Sequence, residues 1–239
     1  LVGQLLTQNS RETDFVARNQ KFQDFVFAVA KESFGCCDDV EKLKAKKFAQ
    51  AAHTVDEELK NQIGVIGENI NIRRISNLEV AQGTVVSYIH NATAPNMGKI
   101  AVLVAFESKA DKAKLEEIGK QVAMHIAAAK PDALSIESVE PAKLQREVEV
   151  LKEQARASGK PESIIDKMIE GRIRKYYEEV VLLEQLFVMD DKVKIKDLIA
   201  NFAKQNGETR ISAFKLFILG EGIEKKENDF AAEVASMTK

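Results

Sequence analysis

Residues 83–108 read GTVVSYIHNATAPNMGKIAVLVAFES, and the fold follows from them. Two runs rich in valine and isoleucine, Gly83 to His90 and Lys99 to Phe106, flank a segment, Asn91 to Gly98, that holds Pro95, Asn96 and Gly98. Branched side chains suit a pleated surface, whereas proline, asparagine and glycine interrupt it. The pattern predicts an antiparallel hairpin with Asn91–Gly98 as its loop. Ile100, Val102, Val104 and Phe106 fall at a period of two, so they line one face of the second strand. Leu115, Ile118, Val122 and Ile126 then recur at helical spacing, and Lys130-Pro131 ends that helix. An apolar helix face following an apolar strand face points to an α+β fold with helices on one side of a small antiparallel sheet.

Moving toward the N-terminus, Ile70 and Ile72 alternate with polar residues as in a strand. Thr54 and Glu57 have the spacing of a capping box, so a helix starts there with Val55, Leu59, Ile63 and Ile66 as its buried stripe. A charged helical stretch rich in Lys and Ala precedes it, and Gly35 to Asp39 breaks the chain before that. Asn19 to Glu32 reads as a helix with Phe22, Phe25, Val26 and Val29 on one face. Leu5 and Leu6 end a short strand, followed by the polar stretch Gln8 to Glu12. Strand, polar loop and amphipathic helix thus occur at Leu5–Ala30 and again at Ile100–Ala129, as two related subdomains would require.

Moving toward the C-terminus, Leu144, Val148, Leu151 and Ala155 are spaced as in a coiled-coil seam. Ser158-Gly159-Lys160-Pro161 is a turn, with Pro161 suited to the start of a returning helix. Ile165, Ile169, Ile173, Tyr176 and Val180 continue the seam, so a two-helix arm is expected. Gln185 to Asp191 reads as a loop carrying three exposed apolar residues, Phe187, Val188 and Met189. A further helix carries Ile195, Leu198, Ile199 and Phe202 and stops at Asn206-Gly207. Arg210 to Leu219 reads as a strand. Asn228 can cap a final short helix containing Phe230 and Val234.

Composition narrows the function. Hydrophobic residues make up 45% of the 239 and charged residues 30%, with a net charge of −2. A near-neutral chain does not bind nucleic acid through bulk phosphate neutralisation, and no apolar run reaches the length of a membrane span. Cys36 and Cys37 are adjacent and form neither a disulfide framework nor a zinc site, so they read as reduced thiols. His53, His90 and His125 show no metal-ligand spacing. P-loop, GxGxxG and GxSxG patterns are missing. No metal or cofactor is therefore expected, while a catalytic site assembled from residues distant in sequence stays open on these grounds alone.

Thr13-Asp14-Phe15-Val16-Ala17-Arg18-Asn19 resembles a signature of the elongation factor Ts family, and Ile66-Gly67-Glu68-Asn69-Ile70-Asn71-Ile72-Arg73-Arg74 is similar to a second. Gly220-Glu221-Gly222-Ile223-Glu224, followed by Asp229-Phe230-Ala231-Ala232-Glu233-Val234, looks like that family's C-terminal end. The resemblance covers nearly the whole chain. It implies two core subdomains, here 1–81 and 82–141 with 182–222, an inserted antiparallel coiled-coil arm at 142–181 and a C-terminal helix at 223–239. It also implies guanine-nucleotide exchange on elongation factor Tu in the bacterial cytoplasm, with neither nucleic acid nor membrane as a direct partner.

The implied mechanism places residues matching Asp14 and Phe15, flanked by Thr13 and Val16, beside the nucleotide site of the GTPase. The phenylalanine wedges between helices and disturbs the magnesium and phosphate contacts. Ile66 and Gly67 match positions that touch the same GTPase domain, and His90, at the tip of a hairpin, and Val188 and Met189 match positions that grip a second domain. Two departures stand out. A small helical module and most of the first strand, which usually open the family's sequence, are not in this one. The run Asn9-Ser10-Arg11-Glu12-Thr13 is also one residue longer than usual, so Arg11 is expected to bulge. Spacing alone leaves alternatives open. Phe15 lies seven residues before Phe22 and could extend that helix's buried face, while Asp14 could be a helix cap. His90 could be an ordinary strand-end residue. Val188 and Met189 either fold back onto the body or face a partner, and His125 reads as structural.

Overall fold

A computed structural model describes residues 2–9, 18–36, 38–49, 51–157 and 162–221. In chain order the elements are β1 (Val2–Asn9), α1 (Gln20–Glu32), α2 (Val40–Ala45), α3 (Val55–Ile66), β2 (Ile70–Leu78), β3 (Gly83–Ala94), β4 (Met97–Ser108), α4 (Lys112–Ala129), α5 (Pro141–Ala157), α6 (Glu162–Val180), β5 (Leu186–Phe187), β6 (Asp190–Lys194), α7 (Ile195–Asn206) and β7 (Thr209–Ile218). The fold is α+β, and its sheets, β1-β2, β3-β4-β7 and β5-β6, are all antiparallel.

Among the described residues, two large apolar cores form. In the first, Phe25, Val26 and Val29 of α1 meet Leu43 of α2, Val55 and Leu59 of α3 and the isoleucines of β2. The caps foreseen for these helices are present. Asn19 caps α1 by accepting the Lys21 amide, and Thr54 and Glu57 close a reciprocal capping box at α3. In β2, Ile70, Ile72 and Ile75 all enter this core although their spacing changes from two to three. The β1-β2 register explains this, because Leu6 pairs with Arg74 and Thr7 with Ile72. The extra residue, Arg73, restores Ile75 to the core face after the alternation would have turned it outward.

The second core lies between the three-stranded sheet and helices α4 and α7. Val102, Val104 and Phe106 of β4 meet Leu115, Ile118, Val122 and Ile126 of α4, the face read from the sequence. The opposite face of β4 is buried as well: Leu103 and Ala105 pack with Leu78 of β2. Polar ties cross at the same place. Asp38 accepts from the Asn77 amide (2.9 Å), the Ser76 hydroxyl (3.0 Å) and the Lys215 ammonium (3.2 Å). Burial pushes the Asp38 carboxyl up, but those three donors outweigh it and hold the group below its usual range. The Arg74 guanidinium sits 4.9 Å from the centre of the Phe217 ring and pairs with Glu221 at 3.1 Å.

Helices α5 and α6 lie side by side in opposite senses. Arg172 donates to Gln154 at 2.9 Å, while Leu144 shares a cluster with Tyr176, Tyr177 and Val180. Leu151, Ile165 and Ile169 of the expected seam are buried. Where the pair joins the body, the Asp132 and Ala133 amides both bond to the Val180 carbonyl.

Some expectations change. The first strand does not end at Leu6, since β1 pairs with β2 through Asn9. Asn91–Gly98 is not a loop: β3 and β4 stay paired to Ala94 and Met97, leaving Pro95-Asn96 as the turn. Backbone pairing in this exposed ribbon needs no apolar side chains, so the pattern did not reveal it. The charged stretch after Asp39 forms only the six residues of α2. The turn at Ser158–Pro161, the Ala155 side chain, the Arg11 bulge and the C-terminal helix of 223–239 lie outside the described residues.

Helix α4 packs closely on its sheet at Gly119. A β-carbon there would lie 2.5 Å from a Val86 methyl and 3.1 Å from the Phe106 ring. Gly119→Ala is expected to lower stability by about 1–3 kcal/mol through overpacking, read as a lower urea midpoint. An unchanged midpoint would show that the helix can move off the sheet at little cost.

Candidate functional site

The second signature straddles the end of α3 and the start of β2. Gly67 caps the helix in the left-handed region (φ 76°), with its amide on the Ile63 carbonyl at 2.9 Å. That conformation suits glycine, since a β-carbon there costs about 1–2 kcal/mol. Ile66 is half-buried against the first core, Gly67 is exposed, and the neighbouring Val65 is 63% exposed. Val65 falls off the helix's apolar stripe, and sequence reading passed over it.

Thr13, Asp14, Phe15 and Val16 lie outside the described residues. The backbone before them does not: Asn9 pairs with Ile70, three positions beyond Gly67. The last described residue before the first signature, Asn9, therefore lies beside the start of β2, within the second.

His90 is not at a hairpin tip. It lies within β3, exposed, paired with Ile100 and hydrogen-bonded through Nδ1 to the Tyr88 hydroxyl at 3.1 Å. Tyr88 packs in turn on the second core. His90 is thus a surface group on a rigid strand.

Val188 and Met189 form the two-residue turn between β5 and β6 and are 52% and 54% exposed. Phe187, grouped with them as exposed, is buried and belongs to the second core. The segment is a short hairpin rather than an open loop, and its alternation sends Phe187 inward and Val188 outward. Beside it, Glu184 receives Lys196 at 2.8 Å and Lys194 at 3.2 Å, and Lys194 also reaches Glu178 at 3.0 Å. The Lys196 hydrogen bond, reinforced by Lys194 and opposed by burial, lowers the Glu184 pKa.

His125 is fully buried beneath this hairpin. Its Nε2 lies 2.9 Å from Gln185 Oε1, the Val188 amide donates to its Nδ1 at 3.3 Å, and its ring centre is 6.0 Å from that of Phe187. The Gln185 amide nitrogen donates to the Glu179 carbonyl at 2.6 Å, which turns Oε1 toward the histidine. An oxygen that can only accept requires Nε2 to carry the proton, which leaves Nδ1 free to accept from Val188. The sequence clue was a histidine among the apolar residues of α4, which needs buried partners.

Burial pushes the His125 pKa down, and the Gln185 hydrogen bond only partly opposes this. A folded pKa below the unfolded value means that the unfolded chain binds the extra proton. The neutral ring's contribution to stability is therefore complete above about pH 6.5 and is lost as pH falls from there toward the folded pKa. Nuclear magnetic resonance titration should find His125 less protonated at about pH 6.5 than a free histidine, which is half charged there, with stability declining as pH drops further. Titration of His125 at or above that value would contradict this.

Among the described residues, no group of His, Cys, Asp and Glu is arranged to hold a metal ion, and no helix is long and apolar enough to cross a membrane. Of the candidate contact residues described, Gly67 is exposed at a helix end, Val188 and Met189 in a turn, and His90 on a strand.

A family model described as "Elongation factor TS" matches residues 12–221. The chain is similar to "Elongation factor Ts" of Rhodospirillum centenum, 57% identical over 227 residues that cover 95% of this chain and 74% of that protein. The protein of the same name from Rhodospirillum rubrum is 51% identical over 230 residues, covering 95% and 74%. That of Caulobacter vibrioides is 50% identical over 228 residues, covering 95% and 73%.

Proposed function

The chain belongs to the elongation factor Ts family, whose members are nucleotide-exchange factors for elongation factor Tu, and we propose that it releases GDP from that GTPase by driving Asp14 and Phe15 against the partner's magnesium and phosphate site. The observation that carries this reading is the family match across 12–221, which includes both signatures. The Asn9–Ile70 pairing supports it further, because it sets the last described residue before the first segment beside the second.

The contacts divide the work. Thr13, Asp14, Phe15 and Val16, with Ile66 and Gly67, act on the nucleotide-binding domain. His90, Val188 and Met189 hold a second domain. The chain supplies no catalytic group of its own. An exchange factor lowers GDP affinity only by binding the nucleotide-free partner more tightly than the loaded one. Two core subdomains (1–81, and 82–141 with 182–222) present these contacts. Residues 142–181 form a coiled-coil arm, supported by the buried Leu151, Ile165 and Ile169. The setting is the bacterial cytoplasm.

Two experiments test the division. In Phe15→Ala, release of labelled GDP at saturating factor should be at least about tenfold slower, one tenfold being about 1.4 kcal/mol of activation energy, while nucleotide-free partner still binds. A maximal rate equal to wild type would remove the wedge. In Val188→Asp with Met189→Asp, half-saturation should shift to higher factor concentration, because two charges are desolvated against an apolar surface. The maximal rate should recover when the factor is in excess. Unchanged half-saturation would show that the turn does not touch the partner.

A further inference from the structure

The β5-β6 hairpin is poorly equipped to hold its own turn. Strand β5 has two residues, and its pairing slips between Leu186↔Lys194 and Phe187↔Asp190. Isolated two-stranded hairpins are at best marginally stable in water. Backbone φ is positive at neither Val188 nor Met189, so the turn lacks the primed geometry that matches strand twist. Two apolar side chains nonetheless stand about half exposed at a defined position.

Support comes from beneath. The Val188 amide points into the body and meets His125 Nδ1, on a ring held by the eighteen-residue helix α4. Phe187 fills the core next to that ring. On the other side of the ring, Gln185 is 4% exposed and is fixed by its own backbone: its amide bonds to the Val181 carbonyl at 3.1 Å, and its carbonyl accepts the Ile195 amide at 3.0 Å. The chain of donors therefore runs in one direction, from the Val188 amide to His125 Nδ1, from His125 Nε2 to Gln185, and from Gln185 to the Glu179 carbonyl.

We propose that His125 is a positioning residue for exchange: from inside the core, its unprotonated Nδ1 fixes the backbone of the Val188–Met189 turn and so sets how the two exposed side chains meet the partner. This rests on the reading above that Val188 and Met189 contact elongation factor Tu. His125 touches neither the partner nor the nucleotide. It acts through one backbone amide, and its tautomer is selected by Gln185.

The test measures GDP release from elongation factor Tu as a function of factor concentration, using the full chain. His125→Phe keeps a ring and removes both hydrogen bonds. Half-saturation should rise about fivefold, the equivalent of one net hydrogen bond, with the maximal rate unchanged. The same substitution is then made in a Val188→Ala, Met189→Ala background, where it should add less than about a twofold effect, since positions acting through one contact are not additive. A full effect in that background would overturn the proposal and leave the contact itself standing. If Val188→Ala with Met189→Ala alone leaves half-saturation unchanged, the contact reading falls and takes the proposal with it. Should His125→Phe lose its near-ultraviolet dichroism, the wild-type ring decides by nuclear magnetic resonance. An Nε2–H tautomer with a slowly exchanging Val188 amide supports the proposal. An Nδ1–H tautomer, a charged ring at neutral pH or a freely exchanging amide overturns it.

Discussion

Strand β4 is buried on both faces, and the other elements are arranged by what that requires. Val102, Leu103, Val104 and Phe106 are fully withdrawn from water, and each such side chain contributes about 1.5–3 kcal/mol when buried. One face is covered by α4, with α7 completing that core, and the other meets Leu78 of β2. A strand of this kind must sit between two layers. Here one layer belongs to the core formed by residues 82–141 and 182–222, and the other is reached through β2, which comes from the first core. Joining the cores is therefore a consequence of burying β4.

The bulge in β2 turns that apolar contact into a specific one. The extra residue at Arg73 keeps Ile75 in the first core and lets Arg74 reach the Phe217 ring and Glu221. Asp38 adds a second tie, from the α1–α2 connection to β2 and β7. A factor that works by pressing on a partner needs its contact points to be mutually rigid, because a contact that yields cannot raise the energy of the nucleotide-bound state. The same need recurs on a smaller scale at Val188–Met189, where a hairpin too short to hold itself is fastened to α4 through His125.

Much of this was legible in the sequence, and the reasons differ by element. Period-two alternation in β4 and the helical spacing in α4 reported burial directly, because one face of each is apolar. The capping box at Thr54 was legible because cap chemistry is local. The β3-β4 ribbon was read too short, since its outer part is solvated and leaves no apolar trace. Phe187 was misassigned because one apolar residue in a polar stretch carries no direction; only the hairpin register shows that it turns inward while Val188 turns outward. The role of His125 depends on Gln185, sixty residues away in sequence, and no local pattern joins them. For the candidate site, the proposed contact residues came from resemblance to a family. Composition and spacing alone favoured a buried Phe15 and an ordinary strand-end His90.

The central claim is thermodynamic: this chain and GDP compete for elongation factor Tu through one coupled equilibrium. Such coupling is reciprocal, so the factor by which the chain weakens GDP binding must equal the factor by which GDP weakens binding of the chain. The most direct measurement is calorimetric titration of the full chain into nucleotide-free and into GDP-loaded elongation factor Tu, with GDP affinity measured in the presence and absence of saturating chain. The account predicts weaker binding to the loaded form, by a ratio that matches the loss of GDP affinity. Equal affinity for the two forms would contradict it, because a protein that does not distinguish them cannot promote exchange.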